Sequence, residues 1–211
     1  EFRRVLFRSV SRLREAYPDV TVSLHQGSPD QVARMVIEET AEIGMATESL
    51  ANYPELVTLP CYEWQHVLVM PKNHPLAGVK QITLERLHEH PLVTYHPSFT
   101  GRSRIDQAFA HQGLTPQIAL EAIDSDVIKT YVSLGMGVGV VAEMAVQDGL
   151  PDQLISRPAG QLFGTNTARV AFKRGSYLRH FVLEFAQMLS NRLSRDLVLK
   201  ALEGRHTDYE L

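Results

Sequence analysis

Short apolar stretches alternate along this chain with segments whose apolar residues recur at helical spacing, the pattern of an α/β protein. Val10–Tyr17 reads as the end of a helix stopped by Pro18. Val20, Val22 and Leu24 alternate with polar neighbours and predict a strand over Val20–His25. Gly27 turns the chain, and Ser28-Pro29-Asp30-Gln31 predicts a helix start with Ser28 as N-cap and Gln31 closing a capping box. Val32, Met35 and Val36 form the buried stripe of that helix. Ile43–Ala46 predicts a short strand with Thr47 at its end, and Val57–Leu59 and Val67–Met70 predict two separate strands. Thr83 caps a short helix reaching His88, and Leu92–Tyr95 is a strand followed by a polar loop, His96–Gly101. A helix over Arg102–Gln112 ends at Gly113, and Ile118, Leu120 and Ala122 mark a strand. Asp124 or Ser125 caps a helix over Asp126–Leu134, and Gly135, Gly137 and Gly139 make a tight turn into the strand Val138–Ala142. Leu154–Arg157 and Ala168–Phe172 are later strands, and Phe181, Phe185, Met188 and Leu189 give the last long helix its apolar face. A loose polar tail is expected from Arg205.

Hydrophobic residues make up 44% of the chain and charged residues 21%, so a packed core is expected rather than disorder. The net charge of -3 makes the chain a poor candidate for gripping DNA by itself, because phosphate contacts need a basic face. Cys61 is the one cysteine, which excludes a disulfide framework and argues against a cysteine metal site. No apolar run approaches the roughly 18 residues a membrane span needs, and no signal peptide is read, so a cytoplasmic setting is expected. No H-E-x-x-H, P-loop or G-x-S-x-G motif is present. Gly135-Met136-Gly137-Val138-Gly139 follows a helix and precedes a strand, the reverse of a dinucleotide fingerprint. His88 and His90 lie in a connection and His66 and His74 lack acidic or cysteine partners, so no metal, cofactor or catalytic role is expected.

Polar residues at strand ends carry more information. Gln26 and Ser28 open one helix, Thr47 ends a strand, and Ser98, Thr100, Gly101, Arg102 and Ser103 open another helix. Helix N-termini present N–H groups and partial positive charge, so such loops suit an anion, although capping alone also explains each hydroxyl. Trp64, the one tryptophan, is either core or a wall of the binding cleft.

The segments YPDVTVSLHQGSPDQVARMV, AEIGMATE, VLVMPKNHPL, FTGRSRID and DSDVIKTYVSLGMGVGVVAEMAV resemble the effector-binding domain of LysR-type transcriptional regulators. HQGSP, MATESL, LPCYEW, FTGRS and DVIKTYV are similar to the CysB/Cbl branch, which serves sulfur assimilation. The resemblance spans Val10 to Leu202. It implies two Rossmann-like subdomains joined by two crossover strands, similar to type 2 periplasmic binding proteins. Subdomain I would take residues 1–62 plus 167–211 and subdomain II residues 63–166. It further implies a small anionic effector in the inter-lobe cleft, namely sulfate, N-acetylserine or adenosine phosphosulfate. Thr47 and Thr100 would contact it, with Trp64, Gln26, Ser28, Gly101, Arg102 and Ser103 nearby. The effector domains would pair side by side, through the helix Gln31–Glu38 and the helix after Asp126, with tetramers in the full-length protein. DNA would be bound through a winged helix-turn-helix that this chain does not include. One departure stands out: the branch carries a Thr-Thr-His-Thr-Gln segment ending its first strand, where this chain has Glu1-Phe2-Arg3-Arg4-Val5-Leu6-Phe7-Arg8-Ser9. The alternatives are a solute-binding protein of an anion transport system and an enzyme acting on a sulfur-containing amino acid.

Overall fold

The computed structural model describes residues 3–204. The expected tail from Arg205 lies outside the described residues. The chain divides into two compact units: Trp64–Asn166 forms one, and the stretches on either side of it form the other.

In the flanking unit, helix α1 (Arg3–Ala16) packs along helix α7 (His180–Leu189), with Leu13 buried and Leu6 and Val10 beside it. Ser9, buried in that contact, donates its hydroxyl to the Met188 carbonyl at 2.8 Å. Helix α2 (Pro29–Ile37) starts as its local residues dictate. The Ser28 hydroxyl accepts from Gln31 N, and the Gln31 side chain accepts from Ser28 N, a complete capping box. Ala33 and Val36 then pack α2 on strand β1 (Gly44–Thr47), which pairs antiparallel with β7 (Thr165–Lys173). The main core of this unit sets Val57, Leu59, Val170 and Phe172 against α7 and a further helix, α8 (Arg195–Leu202). Helix α8 has no counterpart among the expected elements; Ser194 caps it by accepting from Leu197 N.

In the central unit, the second half of strand β2 (Leu56–Pro71) pairs antiparallel with β5 (Val138–Ala142) and with β6 (Leu154–Pro158). Strand β3 (Leu92–Tyr95) runs parallel to β5 and to β4 (Ile118–Ala122). Successive strand residues face opposite sides of a sheet, and β2 buries both. Leu68 and Met70 pack with Leu84 and Leu87 of α3 (Leu84–His88), Ile105 and Phe109 of α4 (Thr100–His111) and Phe163 of α6 (Gly160–Phe163). Val67 and Val69 pack with Ile128 and Val132 of α5 (Ser125–Ser133) on the other side. Thr83 and Asp124 cap α3 and α5 through their side chains.

Three expectations are corrected. Val20–His25 is not a strand. A strand needs a paired neighbour, no described strand pairs with this segment, and Leu24 stays 49% exposed. Val57–Leu59 and Val67–Met70 are not separate strands but parts of the single 16-residue β2. Pro60 suits extended backbone, and the exposed Glu63 and Gln65 alternate with the buried Trp64 and His66. The fourth helix begins at Thr100 rather than Arg102, so Thr100 and Gly101 form its first turn. No described helix is long and apolar enough to cross a membrane.

Gly137 turns the chain into β5 at a φ of 151°, and a Cβ there would sit 2.3 Å from the Pro91 carbonyl oxygen. That oxygen accepts the Val138 N–H at 2.8 Å. Gly137→Ala should therefore cost about 2 kcal/mol or more of stability, measured by urea unfolding. Unchanged stability would mean that the turn is not held as described.

Candidate functional site

The carboxyl end of β3 delivers the chain to α4, the position where open α/β sheets bind ligands. After Tyr95 the chain turns tightly: His96 N donates to the Ala122 carbonyl and Phe99 N to the His96 carbonyl, both at 3.0 Å. The exposed Ser98 is tied to His96, its hydroxyl 2.9 Å from Nδ1 and its N–H donating to the same nitrogen at 3.2 Å. The N-cap of α4 is Phe99, which has no side-chain oxygen to accept from the first-turn N–H groups. The positive end of this 12-residue helix is thus left without the side-chain cap that α2, α3 and α5 all have.

Arg102 does not serve that turn. Its side chain is buried and used internally: Nε donates to Asp106 at 2.8 Å, and Nη1 donates to Glu121 at 2.6 Å and to the Tyr95 carbonyl at 3.1 Å. Burial works against the charge, but Asp106 and Glu121 outweigh it and hold the guanidinium above its usual range. Arg102 therefore fastens α4 to β3 and β4. Ser103 lies exposed one residue further along the helix.

Packed against Gly101 are two side chains from β2. Trp64 and His66 continue the face that Leu68 and Met70 start, because residues two apart share a side of the strand. A Cβ on Gly101 would lie 3.1 Å from His66 Nε2 and 3.2 Å from Trp64 Cη2, so a larger residue would push the helix off this pair. The Trp64 and His66 rings meet edge to face at 4.9 Å between centroids, and His66 meets Phe163 likewise at 5.6 Å. Asn166 Nδ2 lies 3.4 Å from His66 Nδ1. All three polar side chains are at least nine-tenths buried, yet Trp64 Nε1, His66 Nε2 and Asn166 Oδ1 have no hydrogen-bond partner. The Gly101 backbone stands close enough to His66 to act on its charge, but not in the geometry of an ordinary hydrogen bond to Nε2. Buried polar atoms left unpaired are uncommon and costly, and three of them lie together here. Trp64 was legible as a candidate; His66 and Asn166 were not.

The flanking unit holds the other expected residues. Thr47 is buried at the end of β1, its hydroxyl 3.4 Å from that of Ser49. Glu48 accepts from Thr167 N. Ser28 is committed to the capping box through both its hydroxyl and its N–H, and Gln26 is exposed on the extended segment before it. Burial pushes the Cys61 thiol up to about 11, far from a reactive thiolate. Among the described residues no group of three His, Cys, Asp or Glu side chains could hold a metal ion.

The family model described as the LysR substrate binding domain matches residues 3–194. The chain belongs to that family. It is 47% identical over 203 residues to the HTH-type transcriptional regulator CysB of Burkholderia cenocepacia, covering 96% of this chain and 65% of the relative. It is 40% identical to the HTH-type transcriptional regulator Cbl of Escherichia coli, again covering 96% and 65%. This LysR domain thus spans about two-thirds of the length of those relatives, 65% in both cases. Among solved structures, the cofactor-binding domain of the Cbl transcriptional regulator superposes with a TM-score of 0.87 at 40% identity, over 92% of this chain and 85% of the other. The regulatory domain of Synechocystis CcmR, solved with 2-PG, superposes at 0.78 with 20% identity over 90% and 92%, a likeness of fold alone. The expected α/β fold of LysR effector domains is therefore established. The named relatives are transcriptional regulators, a role without catalysis.

His66 also makes a measurable pH signature. Burial, reinforced by Arg104 and only slightly opposed by the Gly101 backbone, pushes its pKa down from 6.5 to about 4. The folded state resists a proton that the unfolded chain accepts, so this contribution to stability is present above pH 6.5 and is lost as the pH falls towards 4. The difference is about 3 kcal/mol. Urea unfolding across this range should show His66→Phe losing less stability on acidification than the unaltered chain by about that amount. Parallel pH profiles would show that His66 is not desolvated.

Proposed function

We propose that this LysR domain is the effector-sensing part of a transcriptional regulator of sulfur and cysteine metabolism genes. Its effector is a small anion: sulfate, N-acetylserine or adenosine phosphosulfate. The observation that carries the reading is the first turn of α4, which has no side-chain cap and rests on two aromatic side chains with an unpaired nitrogen each, Trp64 Nε1 and His66 Nε2. A helix N-terminus of this kind stabilises an anion through backbone N–H groups and partial charge, without needing a base or a nucleophile. Thr100 and Gly101 supply this turn, and Trp64 supports it. Ser28 and Arg102 act through the framework, since capping and internal ion pairs already occupy them. DNA binding belongs to a helix-turn-helix outside the span that the chain shares with its relatives. Signalling follows from the effector's unequal affinity for alternative arrangements of the domain.

A hydrogen bond to a charged ligand contributes on the order of 1.5–3 kcal/mol. Thr100→Val should weaken anion binding about tenfold or more in titration calorimetry. Unchanged affinity for all three anions would remove Thr100 from the site.

Self-association is the second part of the reading. Ile123 (73%), Val127 (42%) and Leu134 (71%) are exposed on and beside α5, an apolar strip that a second copy would cover. Light scattering at high micromolar concentration should give a dimer, and Val127→Glu combined with Leu134→Glu should give a monomer. A parent protein that is monomeric under those conditions would overturn it.

A further inference from the structure

We propose that His66 is an effector-contacting residue that donates its Nε2–H to an oxygen of the bound anion, with Asn166 as the positioning residue that selects this tautomer. The inference rests on the reading that the first turn of α4 takes an anion, and it assigns His66 and Asn166 specific roles at that turn.

An amide NH₂ can only donate, so Asn166 Nδ2, 3.4 Å from His66 Nδ1, makes that nitrogen the acceptor. Desolvation keeps the ring uncharged near neutral pH, so its single proton sits on Nε2. Nε2 faces the first turn of α4, 3.1 Å from where a Gly101 side chain would begin, and it has no partner. Trp64 Nε1, a donor and never an acceptor, is unpaired on the neighbouring ring. Two buried side-chain N–H donors therefore stand beside a helix end, which itself presents backbone N–H groups without a side-chain cap. The common complement of all of these is an oxygen acceptor. Because the donors are neutral, the site can desolvate an anion without importing an ion pair. Phe163 behind His66 and the Leu68–Met70 face beside it fix the ring, so little rotamer freedom remains to be lost on binding.

Sulfate and N-acetylserine serve as the probes, titrated calorimetrically into the full chain and into His66→Phe, which keeps an aromatic ring against Phe163 and Trp64. His66→Phe should weaken sulfate binding about tenfold or more, without lowering the melting temperature of the ligand-free protein. In the unmutated chain, nitrogen-15 spectra at neutral pH should place the His66 proton on Nε2. In Asn166→Ala they should show a mixture of tautomers, with weaker binding. Equal affinity of His66→Phe and the parent, or a proton on Nδ1, would overturn the inference while leaving the anion site intact. A parent that binds neither probe would remove the anion site itself, and the role of His66 with it.

Discussion

The central unit depends on burying β2 on both faces and both edges. From His66 to Pro71 its backbone pairs with β5 or β6, while Leu68 and Met70 fill one side and Val67 and Val69 the other. A strand enclosed in this way cannot slip by one residue without sending every side chain to the wrong face. Its register therefore fixes where Trp64 and His66 fall. They continue the Leu68–Met70 face beyond the aliphatic core, to the point where α4 begins. The same constraint that packs the core thus carries polar aromatic side chains into a buried position beside a helix N-terminus.

Helix α4 is held there by two unlike interactions. Ile105 and Phe109 anchor its body in the aliphatic core, and Arg102 ties its first turns to β3 and β4 through the Tyr95 carbonyl, Glu121 and Asp106. The guanidinium is buried while both carboxylates are partly exposed, so moving the turn would strip a buried cation of its partners, and Arg102 resists that drift. With the helix located by others, the residues at its tip need not cap it. Phe99 occupies the N-cap without an oxygen, and Gly101 allows close approach to Trp64 and His66. The arrangement leaves hydrogen-bonding capacity unused in a desolvated place, where a ligand interaction is worth most.

Local chemistry made much of this legible. The capping box at Ser28 and Gln31, the caps at Thr83 and Asp124 and the glycine turn at Gly137 each depend on a few neighbouring residues, and each forms. What was hidden depends on distant partners. Val20–His25 has the alternation of a strand, but alternation does not supply a neighbour to pair with. β2 looked broken because Glu63, Gln65 and His66 interrupt its apolar runs, although Glu63 and Gln65 fall on an exposed face and His66 is a buried polar residue on the other. His66 was set aside for lack of an acidic or cysteine partner nearby in sequence. Its partner is an asparagine 100 positions away, and only the period-two spacing from Trp64 could have drawn attention to it. Arg102 read as an anion ligand because it opens a helix beside two hydroxyl residues. Glu121, on a strand beyond the helix, takes that charge instead.

The central claim is that the first turn of α4 and the side chains beneath it form the anion site. Trp64 is the one tryptophan, so its indole N–H gives a single, unambiguous signal in proton–nitrogen correlation spectra. In a titration with sulfate, the Trp64 indole and the Gly101 amide should shift together and saturate at the same concentration, while the Arg102 Nε–H, bonded to Asp106, stays in place. Saturable shifts confined to other parts of the chain, with Trp64 and Gly101 unmoved, would contradict the account.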